Sequence, residues 1–294
     1  MLTAVSPPEP DTRPEKAVGH TYSVATAGNA GFAELAQEAW SDWWAGTKNV
    51  ALWSTLAWYD VVLKYRRSML GPLWITLSMG VMLLGMGPLY STLFDVPLHR
   101  FYPHLALGII FWQFFTAAIT DGCHVFIASA AYLKQGEFPR SIFVWRFLAR
   151  QVIQFAHHVI LYVPIALWAG ITPSTPMLLF VPGFLLVLVN LHAASISLGI
   201  ICARFRDVVP IVTSTLQFLM FLTPVFWFPD RLAGRAKYIL YNPLAQMLDI
   251  VRLPLLGGYP TTGTWWYLLD LTCLNVLLAV LLYMYRRRQL VYWI

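Results

Sequence analysis

The chain has 294 residues, 58% of them hydrophobic and only 12% charged, with a formal net charge of +6. Soluble domains carry about 25% charged residues, so the composition excludes a soluble globular protein. At this length it leaves room for one membrane domain and a tail, but not for a separate soluble enzyme domain.

Residues 1–31 are rich in Pro, Ala and Thr without the apolar stretch of a signal peptide, and read as a disordered cytoplasmic tail. Phe32, Leu35, Ala36, Ala39, Trp40 and Trp43 then recur at helical spacing, with Glu34, Glu38 and Asp42 on another stripe. This predicts a short surface helix at the end of a tail spanning residues 1–47. Residues 48–67 are mostly apolar, yet Asp60, Lys64 and Arg67 make one narrow polar stripe. That pattern predicts an amphipathic helix in the cytoplasmic interface or, more simply, a lead-in to the first span. Arg66 and Arg67, followed by Gly71-Pro72, put two cations at headgroup level before a break. They either anchor the span or offer several donors to a phosphate.

A bilayer core ~30 Å thick needs about 20 apolar residues in helical form. Uncharged runs cover residues 68–94, 101–120 and 208–229, and residues 265–285 carry only Asp270. The 53 residues from 151 to 203 hold no Asp, Glu, Lys or Arg, enough for two crossings with a turn at residues 170–176. The expectation is an all-α, polytopic membrane protein with six transmembrane helices. Six spans put both termini on one side, and 15 of the 20 Lys and Arg residues fall there, so both termini are expected in the cytoplasm. Basic residues placed in this way anchor topology and require no nucleic-acid partner.

Residues 121–150 are too long for a bare connection and mix Lys134, Glu137, Arg140 and Arg146 with Phe138, Phe143 and Trp145. Such a loop either docks on a partner or packs on its own chain, and Pro139 suits the first turn of a helix. In the third and fourth spans, His157, His158, His192, Asn190 and Ser195 are the residues an intramembrane enzyme would use. Adjacent histidines point about 100° apart on a helix and cannot make the i, i+4 pair of a metal site. His192 and Ser195 are three apart, with no acid near in sequence to orient the histidine. Polar contacts between spans suit all five better.

In the fifth span, Phe218, Phe221 and Phe228 fall on one helical face, beside Phe226 and Trp227. Kinks are available at Gly85-Met86-Gly87-Pro88, Pro164, Pro182 and Pro224. Within residues 230–264, Leu244, Met247, Leu248, Val251 and Leu255 recur at helical spacing after Asn242-Pro243. This predicts a helix that dips back into the membrane from outside or lies flat on its surface. Residues 289–294 close the chain as a cytoplasmic tail.

No G-x-x-x-x-G-K-[ST] phosphate loop occurs, so ATP is not bound here by that means. Nor do the spans hold the buried carboxylates of proton or sodium relays; only Asp270 lies slightly inside one. Cys123, Cys202 and Cys273 form no CxxC pair, which argues against a disulfide framework and a metal site. The chain is expected to carry no cofactor and to draw energy from ATP hydrolysed on another chain.

Four ordered stretches give the chain a family resemblance. Tyr65-Arg66-Arg67-Ser68-Met69-Leu70-Gly71-Pro72-Leu73-Trp74 resembles the opening signature of permease subunits of type-2 ABC exporters for polysaccharides, the group that moves O-antigen, capsule and teichoic-acid chains. Tyr132-Leu133-Lys134-Gln135-Gly136-Glu137-Phe138-Pro139-Arg140 is similar to that family's first cytoplasmic loop, and Ala203-Arg204-Phe205-Arg206-Asp207-Val208 to its second. Tyr241-Asn242-Pro243-Leu244 matches the Asn-Pro of its last external loop. The resemblance covers residues 48–288 and gives no role to residues 1–47 or 289–294.

It implies a non-enzymatic transport subunit in the bacterial inner membrane, dimerised about a two-fold axis. Two copies of a cytoplasmic ABC ATPase would bind the dimer and carry ATP and Mg, and the cargo would be a lipid-linked polysaccharide. Lys134, Glu137, Phe138, Pro139 and Arg140, with Arg204, Arg206 and Asp207, become the ATPase-coupling residues. Arg66 and Arg67 become candidates for the lipid pyrophosphate. Phe218, Phe221 and Phe228 become candidates for a channel in which sugar C–H faces slide over rings, and the external helix would close its exit. A type-2 ABC exporter of a lipid or small drug shares this architecture and is the runner-up, with a membrane-embedded enzyme third.

Overall fold

The computed structural model describes residues 31–294 apart from residues 67, 72, 137 and 230–238. Expectations for the tail at residues 1–30, for Arg67, Pro72 and Glu137, and for the first part of the external loop therefore lie outside the described residues. Within them the chain is helical, in the order α1 (Phe32–Lys48), α2 (Val50–Tyr65), α3 (Leu73–Leu93), α4 (Leu98–His124), α5 (Ala130–Gln135), α6 (Ser141–Val159) and α7 (Tyr162–Trp168). There follow α8 (Phe180–Arg204), α9 (Val208–Leu222), α10 (Pro243–Leu255), α11 (Thr262–Arg286) and α12 (Leu290–Trp293).

Five of these segments are long and apolar enough to cross a membrane: α3, α4, the nearly continuous α6–α7 pair, α8 with its short lead-in turn, and α11. The expected fifth span is different. The helix α9 has only 15 residues, a rise of about 22 Å, and stops at Leu222 because Thr223 turns extended ahead of Pro224. Phe228 lies beyond that break, so it does not share a helical face with Phe218 and Phe221. Among the other prolines, Pro182 falls in the first turn of α8, where its missing N–H costs no helix bond. Pro164 lies in the first turn of α7, just after the chain breaks between α6 and α7.

The most enclosed helix is α4, buried almost without interruption from Phe101 to Phe115, with α3, α6, α8 and α10 packed around it. Its close packing depends on glycine: a Cβ at Gly108 would lie 2.6 Å from the Val225 carbonyl oxygen. Two apolar cores result. One fills the bundle around Phe111, Phe114, Phe155 and Leu248. The other, at the end that carries the basic residues, gathers Ala39, Phe126, Leu133, Phe143, Ile200, Tyr283 and Leu290.

That second core changes the account of both chain ends. The helix α1 is longer than the short surface helix expected, and it packs on α6 and α11. Gly46 sits so close to α6 that a Cβ there would lie 2.1 Å from Ser141 Oγ. The last residues are likewise held, since Leu290 is wholly buried and α12 rests against α5 and the end of α8.

Candidate functional sites at the two ends of the bundle

At the basic end, Lys134 lies in the last turn of α5 and is exposed, and Gly136 takes the left-handed conformation that turns the chain back (φ 72°). Phe138 is exposed, whereas Pro139 and Arg140 are half-buried. Pro139 stands just ahead of α6 and so leads into the third long helix. The start of α6 has no side-chain cap of its own, and Asp42 of α1 supplies one from a distance. Its carboxylate accepts from the Arg140 N–H at 3.0 Å and the Ser141 N–H at 3.2 Å, while the Asp42 carbonyl accepts from Ser141 Oγ at 2.8 Å. Unpaired N–H groups at a helix start favour an anionic acceptor, so α1 fixes the loop that α6 leaves. Because Asp42 also accepts from the Tyr283 hydroxyl, α1, α6 and α11 meet at one carboxylate.

The end of α11 is tied to the same helix. Arg287 is buried and pairs with Glu38. Arg288 donates to Glu38 Oε1 at 2.6 Å and to Glu34 Oε1 at 3.3 Å. Beyond it, Trp293 lies 5.6 Å under the Arg204 guanidinium. Arg204, Arg206 and Asp207 are exposed, and α12 stands between this loop and α5. The two loops singled out from sequence are thus neighbours around the chain end. Arg66, the described member of the other basic pair, is exposed.

The polar stripe expected on α2 is turned inward at Asp60. Arg146 donates to it twice and Arg150 reaches it at 3.7 Å; Arg150 and Gln151 also donate to Asp121, at 2.9 and 2.7 Å. Asp60, Asp121, Arg146 and Arg150, with His124 and Ser129, line a cleft of about 220 Å³ between α2, α4 and α6. Arg146 and Arg150, read from sequence as part of a docking loop, lie inside α6 and face this cleft.

At the opposite end, Phe218 and Phe221 are exposed on α9, at 64% and 73% of their full surface. Phe228 is instead packed, its ring stacked on His104 with centroids 4.1 Å apart. The predicted start of α10 is realised, because Asn242 Oδ1 accepts from the Leu244 and Ala245 N–H groups at 3.0 and 3.3 Å. The helix packs among α4, α8 and α11 with Leu244, Met247, Leu248 and Val251 buried, which sets aside the flat surface alternative.

Sequence reasoning missed the charge that α10 carries inward. Arg252, one of the five Lys and Arg residues that the topology leaves on the external side, is 2% exposed. It donates to the Pro224 carbonyl at 2.6 Å, to Asp249 Oδ1 at 2.7 Å, and meets His104 Nε2 at 3.2 Å. Its position one turn after Leu248 on the apolar stripe was the available signal. Of the residues of the enzyme alternative, Ser195 Oγ donates to the Leu191 carbonyl at 2.7 Å and Asn190 bridges to Thr272 and Asn275 of α11, while buried His192 lies against the Trp145 ring with neither ring nitrogen hydrogen-bonded. Among the described residues, no three His, Cys, Asp or Glu side chains converge as a metal site.

The fold and these two ends define a multi-pass helical membrane protein with a basic, partly aromatic face at one end and a charge-bearing helix tucked into the other. The family model described as "ABC-2 type transporter" matches residues 51–256, and the chain belongs to that family of transport subunits. Two relatives, both O-antigen export system permease protein RfbA of Klebsiella pneumoniae, are 25% identical over 194 residues and 23% identical over 191 residues. Each alignment covers 64% of this chain and 74% of the relative. The match begins inside α2 and ends after α10, so α1, α11 and α12 lie outside it.

Proposed function

We propose that this chain is the permease subunit of an ATP-driven exporter that moves a lipid-linked polysaccharide, of the O-antigen or capsule kind, across the bacterial inner membrane from the cytoplasm. The observation that carries the reading is a family match running from α2 through α10 in a chain whose relatives are O-antigen permeases. In this reading residues 48–288 form the transport unit, both termini are cytoplasmic, and two copies enclose the path. A dimer suits the cargo, because α4 packed solid at the centre of the helices leaves no polymer-sized channel among the described residues of one copy.

ATP and Mg belong to two copies of a partner ATPase. Lys134, Glu137, Phe138, Pro139 and Arg140, with Arg204, Arg206 and Asp207, are assigned to its docking. Exposed Phe138 and Phe205 beside Arg204 and Arg206 suit a partner notch with an apolar floor and an acidic rim. Because Asp42 holds the backbone at Arg140 and Ser141, a push on this loop passes directly into α6. Arg66 and Arg67 are assigned to the pyrophosphate of the arriving lipid-linked sugar. Phe218 and Phe221 are assigned to the path, and Phe228 to the packing of its exit.

The test is co-purification with the ATPase from membranes, with hydrolysis measured alongside export. Phe138→Ala with Arg204→Ala and Arg206→Ala should leave the permease inserted and reduce ATPase recovery at least tenfold, because the three side chains are exposed and lie outside both apolar cores. Full recovery with unchanged export would remove these residues from the coupling role.

A further inference from the structure

Arg252 is a fully buried cation at the end of the bundle opposite the basic face, and every group it touches belongs to a different structural piece. Asp249 is on its own helix, α10; His104 is on α4; the Pro224 carbonyl is in the break that follows α9. Burying a guanidinium is costly unless its donors are met, so such a residue in a membrane protein marks a working site. The surrounding contacts are backbone-close. Val225 of the break is wholly buried with its carbonyl against Gly108 of α4, and the Ile250 carbonyl of α10 lies 2.9 Å from where a Cβ on Gly183 of α8 would be. At Gly108 the nearest atoms are all backbone.

His104 Nε2 has two partners of opposite demand. It lies 3.2 Å from Arg252 Nη1, which can only donate, and 3.3 Å from the Trp227 carbonyl, which can only accept. A neutral imidazole nitrogen is either donor or acceptor. With the proton on Nδ1, Nε2 accepts from Arg252 and the Trp227 carbonyl loses its partner. With the proton on Nε2, it donates to Trp227 and faces the Arg252 N–H without bonding it. The cluster therefore has two alternative hydrogen-bond arrangements, one tying α4 to α10 and the other tying α4 to the break. Phe228, stacked on the same ring and lying 5.9 Å beneath the Arg100 guanidinium, makes the break follow His104.

We propose that Arg252 is the positioning residue of an exit latch: with His104 as its two-position partner, it holds α10 and the break at residues 223–228 together as a closed plug. Arg252 keeps the Pro224 carbonyl in both arrangements, and the His104 proton decides whether α10 or the break is the more firmly held to α4. The latch deepens the export reading, since a path for a polymer must be sealed when empty, but its test needs no transport.

Val225→Cys is introduced into the full-length chain with Cys123 and Cys273 replaced by serine and Cys202 kept as a buried reporter at the basic end. Reaction of Val225→Cys with a membrane-impermeant maleimide is timed in intact membranes, with the reagent on the face opposite the basic end, and Cys202 is timed in parallel with a membrane-permeant maleimide. In the parent Val225→Cys should be protected. Arg252→Gln should speed its labelling at least tenfold, and Arg252→Lys, which reaches fewer acceptors at once, by less. His104→Gln offers Trp227 a donor and Arg252 an acceptor simultaneously, and should leave the rate at or below that of the parent. Cys202 should remain protected in every variant. Equal labelling of Val225→Cys in the parent and Arg252→Gln overturns the latch, as does a parallel rise at Cys202, which signals general loosening. If Arg252→Gln fails to accumulate, His104→Ala must raise the rate by itself, and an unchanged rate there overturns the proposal equally. Loss of export in the parent would count against the exporter reading alone.

Discussion

Arg146 and Asp60 join α6 to α2 through two parallel hydrogen bonds, Nε to Oδ2 at 2.8 Å and Nη2 to Oδ1 at 2.6 Å. The pair is about four-fifths shielded, and Arg150 adds a second cation at 3.7 Å. A bidentate pair of this kind fixes orientation as well as distance, so it sets the angle at which α2 leaves the bundle. Asp60→Asn should cost about 1–3 kcal/mol, because both arginines lose a charged acceptor in a partly desolvated cleft. Thermal unfolding in detergent measures it. Asp60→Asn combined with Arg146→Gln should cost clearly less than the sum of the two single changes.

The attachment of α1 should be acid-sensitive. The Arg288 hydrogen bonds and the charges of Arg287 and Arg288 outweigh burial and hold the Glu38 carboxyl below its ordinary value of 4.5. A depressed carboxylate stabilises the fold above its ordinary value, and that contribution is lost as pH falls through the lowered one. The fluorescence of Trp40, Trp43 and Trp44 should therefore stay constant from pH 7 to about 5 and change reversibly below about 4.5. Glu38→Gln should abolish this step; a step of undiminished size in that variant would assign it to another group.

Gly108→Ala should be among the most damaging single-methyl additions in the chain. The new Cβ would meet the Val225 carbonyl at 2.6 Å, with backbone on both sides and no flexible side chain to yield. Overpacking of this kind costs about 1–3 kcal/mol. Gly85→Ala, whose Cβ would meet nothing within 4 Å, should leave the melting temperature unchanged or slightly raised.

Phe218→Ala with Phe221→Ala should leave assembly intact and slow export several-fold. Both rings are exposed in the single chain, so their truncation removes no internal packing. Export per assembled complex decides the matter. A fall in protein level with unchanged export per complex would make the two rings packing residues at a lipid or subunit boundary.

The long apolar runs, the end of the bundle rich in Lys and Arg, and the Asn242 cap of α10 were all legible in the sequence, because each rests on local periodicity or a single turn. Other features depend on partners far along the chain. Asp42 reads as one acid on a polar stripe, and only the fold brings it to Ser141 and Tyr283. Arg252 reads as a loop cation until α10 is seen to pack between α4, α8 and α11. Helical spacing places Phe228 with Phe218, but Thr223 and Pro224 end the helix first. The loops at residues 132–140 and 203–208 are recognisable as motifs, whereas the chain end that lies between them falls outside every motif and is visible only through the burial of Leu290 and the Arg204–Trp293 contact.

The most direct test of the central claim is transport in inside-out membrane vesicles that contain this chain and its ATPase, supplied with a lipid-linked glycan labelled in its sugar and with ATP and Mg. The account predicts that the glycan becomes protected from an added glycosidase only when both chains and hydrolysable ATP are present, and that protection is lost with Phe138→Ala, Arg204→Ala and Arg206→Ala combined. Protection that forms equally well without ATP or without the partner chain would contradict it, as would ATP-driven movement of unlinked lipid in place of the glycan.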